Sequence, residues 1–94
     1  MNPRVSIVLP TRDRDREMAA ALESVRRQTF TDWECIVVDD GSRDETPRAL
    51  SEAAAAEPRI RRLRRDPGGS IAEARNAALA AARGDLVAFL DDDD

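Results

Sequence analysis

The stretch WECIVVDDGSRDETP, residues 33–47, contains the pattern that decides the fold. Its first half is a short continuous apolar run centred on residues 36–38, which predicts a strand buried on both faces. An Asp-Asp-Gly turn ends the strand, and a helix is predicted to follow, with Thr46 as its cap and Pro47 at its first position. A buried strand that leads through a polar turn into a helix is half of a β-α-β unit.

The same alternation extends towards the N-terminus. Residues 5–9 form a second continuous apolar run and predict another buried strand. Residues 13–28 carry apolar side chains at helical spacing, with Asp13 or Asp15 as a candidate cap. A strand and a helix therefore precede the strand predicted at residues 33–40.

Towards the C-terminus the pattern repeats twice more. A helix is predicted through RALSEAAAAE, and RIRRLRR, residues 59–65, predicts a weak edge strand. The segment 70–83 predicts an alanine-rich helix, with Ser70 in capping-box spacing to a glutamate and Gly84 as the C-terminal cap. Residues 86–90 predict the last strand, which belongs near the centre of such a sheet and lacks a neighbour in this chain.

The complete order is β-α-β-α-β-α-β, and it predicts one α/β domain over residues 1–94. The expected architecture is a three-layer α/β/α arrangement with a mainly parallel, Rossmann-like sheet. Right-handed crossovers place the carboxyl ends of all strands at one edge, where ligands of such sheets bind.

The charge composition excludes several classes of function. Nineteen acidic residues face fifteen basic ones, and the four terminal aspartates carry the whole excess, so no basic face for nucleic acid is expected. The chain has no His, which excludes Ser-His-Asp and Cys-His catalysis.

Cys35 is the single cysteine and lies in an apolar run, so we predict a core residue in a reducing compartment. No stretch is long enough to span a membrane, and we predict a cytoplasmic protein, or one at the cytoplasmic face of a membrane at full length.

Polar residues follow three of the predicted strands: PTRDR (10–14), DDGSRDE (39–45) and DDDD (91–94). Because the topology brings these segments together, we expect carboxylates and arginines to converge in one cleft. Asp91 and Asp93 are two positions apart and point to the same side of a strand. Such a pair can reach one Mg²⁺ or Mn²⁺ ion, with water and substrate phosphates as its other ligands.

Each of these features also has a plainer interpretation. The terminal aspartates alone are typical of a solvated acidic patch, and Asp40 fits an ordinary Asp-Gly turn. Thr11 and Asp13 could serve as caps, and Arg75 as a surface residue paired with a nearby carboxylate. Neither a dinucleotide-binding nor a P-loop glycine motif is present.

Three segments together resemble the N-terminal, nucleotide-sugar-binding half of a family 2 glycosyltransferase of the GT-A fold. They are VSIVLPTRDR (5–14), ALESVRRQTFTDWECIVVDDGSRDET (21–46) and GGSIAEARNAALAAARGDLVAFLDDDD (68–94), in the family's order and spacing. The first departs from the family's usual form, because Arg12 and Asp13 replace an aromatic residue and an asparagine. A guanidinium at Arg12 could stack on a nucleobase in place of the aromatic ring.

The resemblance implies a nucleotide-binding set made of Pro10, Thr11, Arg12, Asp39, Asp40, Arg75 and Asp92. In that set Asp39 accepts a hydrogen bond from the base, usually uracil, and Asp40 assists nearby. The residues at 10–12 wall the base pocket, Arg75 belongs to the donor site, and Asp92 reaches the ribose.

The resemblance also implies a metal site and a reaction. Asp93 is the principal ligand of a divalent cation, Mn²⁺ or Mg²⁺, and Asp91 is a second or water-mediated one. The implied activity is inverting transfer of a sugar from a nucleotide-diphosphate donor, most often a UDP-sugar, to an unknown saccharide, lipid or protein acceptor. The family's catalytic base lies beyond the Asp-x-Asp element, so no catalytic residue is expected in 1–94, and the chain alone is expected to be inactive.

Two other functions compete with this one. The chain could be a non-catalytic module or fragment that only binds a nucleotide. It could also be a Mg²⁺-dependent phosphotransfer domain, although that type requires a lysine beside its aspartates and this chain has none.

Overall fold

The computed structural model describes residues 2–66 and 70–92. Its elements are β1 (Val5–Thr11), α1 (Asp15–Arg27), β2 (Trp33–Asp39), α2 (Thr46–Ala56), β3 (Ile60–Arg64), α3 (Ile71–Ala81) and β4 (Leu86–Phe89). The four strands form one sheet in the order β3-β2-β1-β4, and all pairs are parallel. The predicted alternation and the parallel sheet are therefore confirmed.

The helices cover both faces of the two central strands, β1 and β2. Leu9 and Val37 pack with apolar side chains of α1 and α2 on one face. Val8 and Val38 pack with Ala74 and other small residues of α3 on the opposite face. The three-layer α/β/α architecture is thus confirmed, and continuous apolar strands suit it because both of their faces are buried.

The first two helices begin differently from the prediction. Asp13 does not cap α1; its backbone is left-handed (φ 52°), and its Oδ1 accepts hydrogen bonds from the backbone N–H groups of Arg43 and Asp44. Thr46 is the first residue of α2 rather than its cap, and its N–H donates to Asp44 Oδ1 at 2.8 Å. Both aspartates thereby shape the loop between β2 and α2.

Helix α3 begins as predicted but ends earlier. Ser70 caps it by accepting from the N–H of Glu73 at 3.1 Å. The helix ends at Ala81, so Gly84 is not its C-terminal cap. Instead, a Cβ at Gly84 would lie 2.7 Å from Ser6 N, so glycine is needed because the chain passes close to β1.

The last strand is more exposed than its apolar sequence predicts. β4 pairs with β1 and lies at an edge of the sheet, with Leu86 55% and Phe89 53% exposed. In the described part of the chain, no other strand pairs with its free side. Over residues 2–66 and 70–92, no helix combines the length and apolar character needed to cross a membrane.

A buried polar network joins the amino ends of the strands, opposite the edge where ligands are expected. Glu34 accepts hydrogen bonds from Ser6 Oγ and from the N–H of Arg83, both at 2.6 Å. Its second oxygen accepts from Arg61 Nη1 at 2.7 Å, and the same nitrogen donates to a carbonyl at the end of α3. This network ties α3 and the start of β4 to the two central strands.

Candidate functional site

A cavity of about 450 Å³ lies at the carboxyl edge of the sheet, beside the first turns of α3. Its lining residues are Pro10, Thr11, Arg12, Arg14, Asp40, Ile71, Ala74, Arg75, Asp91 and Asp92. The cavity therefore brings together the segments that follow β1, β2 and β4, as the topology predicts. Every predicted site residue lies here except Asp39, which lies elsewhere, and Asp93, which falls outside the described residues.

Asp92 is held at the end of β1 by two neighbours. Its Oδ2 accepts a hydrogen bond from Thr11 Oγ1 at 2.9 Å. Its Oδ1 lies 3.2 Å from Nε of Arg14, which is not among the individual site residues that the resemblance implies. The sequence feature that could have identified Arg14 as a site residue is its position in the polar segment after β1, where it is the second arginine of PTRDR.

Arg75 extends from α3 over the same region. Its Nη2 donates to Asp91 Oδ1 at 3.2 Å, and its guanidinium lies 5.5 Å from the centre of the Phe89 ring. Among the described residues its buried Nε has no hydrogen-bond partner. Two aspartates of the cavity are thus each paired with an arginine, and both arginines are also suited to bind phosphate.

Asp40 differs from the other carboxylates of the cavity. Its Oδ1 is buried and lacks a hydrogen-bond partner within the part of the chain that the structure describes. Its backbone N–H donates to the carbonyl of Thr11 at 3.0 Å, which fixes the residue beside the end of β1. A buried acceptor without a partner costs roughly 1–3 kcal/mol, so a ligand that donates an N–H to it would recover this free energy.

Asp39 does not line this cavity. Successive side chains of a strand point to opposite faces, so Asp39 lies on the α2 side of the sheet while Asp40 lies on the α3 side. Its carboxylate accepts from the Ser42 N–H at 2.9 Å and from Arg64 Nη1 at 2.8 Å. Asp39 therefore does not lie in the cleft where the resemblance predicts a contact with a nucleobase, and both of its oxygens accept hydrogen bonds within the protein.

The cavity supplies some of the ligands that a divalent cation requires. In residues 2–66 and 70–92, no group of three or more potential ligands gathers at one point. Asp91 nevertheless supplies a hard carboxylate oxygen donor at the cavity, whereas both oxygens of Asp92 already contact Thr11 and Arg14. Mg²⁺ and Mn²⁺ sites commonly take one or two protein carboxylates and complete their shell with phosphate and water, so this donor set fits such an ion.

Sequence comparison places the chain in a known family. Residues 6–94 match the family described as Glycosyl transferase family 2. The chain belongs to this family. It is 39% identical over 90 residues to the Escherichia coli protein named UDP-Glc:alpha-D-GlcNAc-diphosphoundecaprenol beta-1,3-glucosyltransferase WfgD, covering 96% of this chain and 35% of that protein. It is 42% identical over 94 residues to the O-antigen biosynthesis protein RfbC of Myxococcus xanthus, covering 98% of this chain and 7% of that protein.

Solved structures confirm the fold. The mannosyltransferase PcManGT from Pyrobaculum calidifontis, in complex with GDP-Man and Mn²⁺, superposes with a TM-score of 0.89 at 29% identity, over 99% of this chain and 28% of that one. TarS 1-349 of S. aureus, in complex with UDP-GlcNAc, gives a TM-score of 0.86 at 29% identity, over 96% of this chain and 26% of that one. The chain spans about a third or less of the length of the curated relatives that it matches.

Proposed function

We propose that this chain is the donor-binding part of a glycosyltransferase that uses a nucleotide-diphosphate sugar, with a UDP-sugar as the donor. The observation that carries the proposal is the buried, unpartnered Oδ1 of Asp40 in a cavity that also holds two arginine–aspartate pairs. Asp40 thus offers the cavity a carboxylate that accepts hydrogen bonds, while the arginines that line the same cavity offer guanidinium groups to anions. A nucleoside diphosphate has both complementary parts.

Asp40, rather than Asp39, accepts from the base in this proposal. An ionised carboxylate only accepts hydrogen bonds, so it suits the ring N–H of uracil or guanine. Cytosine and adenine carry an unprotonated ring nitrogen at the corresponding position, so only their exocyclic amino groups could donate to the carboxylate. Pro10, Thr11 and Arg12 wall the base, and the guanidinium of Arg12 stacks on it.

In this proposal, the arginines and the other two aspartates of the cavity bind the ribose and the diphosphate. Arg75 and Arg14 face the cavity next to Asp91 and Asp92, and a diphosphate would give these cations a second anionic partner. Asp92, which is held by Thr11, accepts from a ribose hydroxyl. This assignment adds Arg14 to the residues expected from the sequence.

A divalent cation, Mn²⁺ or Mg²⁺, is held by Asp91 together with Asp93 in this proposal. When bound, it neutralises the charge that develops on the nucleoside-diphosphate leaving group. The Mn²⁺ and GDP-Man in the PcManGT complex support a metal of this kind. The chain's own residues orient the donor: Asp40 fixes the base, and Arg75 draws the diphosphate towards α3.

Transfer also needs a base for the acceptor hydroxyl, and every carboxylate of the cavity already has a part in donor binding. We therefore expect these 94 residues to bind the donor without transferring its sugar, and the acceptor is not assigned. A turnover assay with a panel of sugar nucleotides and saccharide acceptors checks this expectation, and clear transfer by the chain alone would contradict it.

Isothermal titration calorimetry with UDP, GDP, CDP and ADP tests the proposed function. We expect UDP or GDP to bind at least tenfold more tightly than CDP and ADP. Asp40→Ala removes a hydrogen bond to a charged acceptor, worth roughly 1.5–3 kcal/mol, and should weaken UDP binding about 10- to 150-fold. The matched control is Asp85→Ala, an exposed aspartate at the start of β4. Equal affinity for all four nucleotides, or unchanged UDP binding by Asp40→Ala, would refute the proposal.

A further inference from the structure

The loop between β2 and α2, residues 40–45, presents Asp40 to the cavity and is held from the opposite face of the sheet. Asp39 is 2% exposed and precedes the loop on that face. It lines a second, smaller cavity together with Arg64 of the edge strand β3. Two adjacent aspartates thus have separate environments, one facing the candidate nucleotide site and one facing an arginine.

Arg64 closes a ring of hydrogen bonds around the first residues of this loop. Its Nη1 donates to Asp39 Oδ2 at 2.8 Å, and its Nη2 donates to the carbonyl oxygen of Ser42 at 3.1 Å. The other oxygen of Asp39 accepts from the Ser42 N–H at 2.9 Å. Both polar groups of the Ser42 backbone are therefore bonded to the Asp39–Arg64 pair.

This ring of hydrogen bonds restricts the backbone of Asp40, which lies within it. Asp40 is bonded to Thr11 through its N–H, and Gly41 follows in a left-handed conformation with φ 77°. The next residue, Ser42, is the one that Asp39 and Arg64 hold. The backbone of Asp40 is thus fixed on both sides, which limits the positions open to its carboxylate.

We propose that Asp39 and Arg64 form a clamp that positions Asp40 and thereby sets the selectivity for the base, although neither residue touches the nucleotide. The inference rests on the proposed function, because the role of Asp40 at the base is part of it. Arg64 is a positioning residue, not a catalytic one. Its effect on a ligand passes through Asp40.

The expected effect is large for a residue outside the cavity. Arg64→Ala leaves the Ser42 carbonyl without this donor and one oxygen of the buried Asp39 carboxylate unpaired. Because Arg64 acts only through the contact between Asp40 and the base, its loss can weaken UDP binding by at most the factor expected for Asp40→Ala, and we expect UDP affinity to fall about 10- to 100-fold. We also expect the preference for UDP over CDP to fall by the same factor. Arg64→Lys keeps one charged donor group and should therefore retain part of this preference.

Calorimetry on a set of variants of the 94-residue chain, each first shown to be folded by circular dichroism, tests the clamp. The control is Arg62→Ala, because Arg62 is an exposed arginine of β3 that lines the same second cavity and makes no hydrogen bond to Asp39 among the described residues. In an Asp40→Ala background, Arg64→Ala should have no further effect on UDP binding. A full additional loss in that background, or an unchanged UDP/CDP ratio in Arg64→Ala, would overturn the clamp and leave the proposed function standing.

Amide hydrogen exchange measured on the free chain separates the two proposals. Arg64→Ala should speed exchange of the Ser42 N–H at least tenfold, while Arg62→Ala should leave it unchanged. If the wild-type chain bound none of the four nucleotides, the proposed function would fail, and this exchange rate would still decide whether the clamp holds the loop. An unchanged rate in Arg64→Ala would overturn the clamp in either case.

Discussion

Replacing Glu34 by Gln should destabilise the protein strongly, because Glu34 is the centre of the polar network at the amino ends of the strands. The residue is 5% exposed, and its carboxylate accepts three hydrogen bonds, from Ser6, Arg83 and Arg61. Glutamine has the same shape but only one oxygen that can accept. Its NH₂ group must therefore face at least one group that itself donates.

The size of the effect follows from these contacts. Losing a hydrogen bond to a charged group costs roughly 1.5–3 kcal/mol. The Arg61 side chain is 28% exposed, so water can solvate part of its charge, and the larger penalty for an isolated buried ion does not apply in full. We therefore expect the free energy of unfolding to fall by about 2–3 kcal/mol at pH 7.

Urea unfolding at pH 7 measures this change. With a slope near 1 kcal/mol per molar urea, which is typical of a small domain, the midpoint should fall by about 2–3 M. Glu52→Gln is the control, because its contact with Arg48 at 3.3 Å joins two exposed side chains and should be worth about 0.5 kcal/mol or less. If Glu34→Gln left too little structure to titrate, Ser6→Ala, which removes one of the hydrogen bonds to this carboxylate, should lower the free energy of unfolding by roughly 1.5–3 kcal/mol. Equal midpoints for Glu34→Gln and Glu52→Gln would show that the hydrogen bonds of the buried Glu34 carboxylate do not stabilise the fold.

The pH dependence gives a second readout of the same network. Burial alone would raise the pKa of Glu34, but hydrogen bonds from Ser6, the Arg83 N–H and Arg61 outweigh it and hold that pKa below its ordinary value of 4.5. The stabilisation is therefore complete above pH 4.5 and is lost as the pH falls through the folded-state pKa. Since glutamine does not titrate, the gap in stability between the wild type and Glu34→Gln should narrow below pH 4.5, and a constant gap would contradict this.

Three further predictions concern other parts of the chain. Gly84→Ala should cost about 1–3 kcal/mol in thermal unfolding, because the new methyl group would overlap Ser6, and an unchanged melting temperature would contradict the close approach. Iodoacetamide at pH 8 should label Cys35 only after unfolding, because burial and the nearby charge of Glu34 raise the pKa of its thiol to about 12; rapid labelling of the folded chain would disprove this. Arg75→Ala should weaken binding of UDP about tenfold and leave that of uridine unchanged, since its guanidinium is assigned to the diphosphate, and equal losses for both would argue against that assignment.

The order of strands and helices could be predicted because it depends on local patterns. Short β-branched runs and helical spacing of apolar residues specify each element, and alternation between them specifies a parallel sheet. Ser70 was identified as a helix cap by the same local logic. The site residues after β1, β2 and β4 followed from topology, because parallel strands end at one edge.

The roles of Asp39 and Asp40 could not be separated from the sequence. β2 is buried on both faces, so its apolar pattern does not show which face lies towards α3 and the cavity. Gly84 was misassigned for a related reason, because its close neighbour, Ser6, lies 78 positions away in the chain. Arg14 and Asp92, which are in contact, are equally far apart in the sequence. Such roles depend on tertiary contacts that no local pattern encodes.

Calorimetric titration of the chain with UDP, with and without Mn²⁺, measures donor binding at this cavity. We predict that UDP binds, that Mn²⁺ tightens binding at least tenfold, and that Asp91→Ala removes this gain while Asp85→Ala retains it. Absence of UDP binding under both conditions, or a gain from Mn²⁺ that persists in Asp91→Ala, would contradict the assignment of this cavity as a metal-dependent donor site.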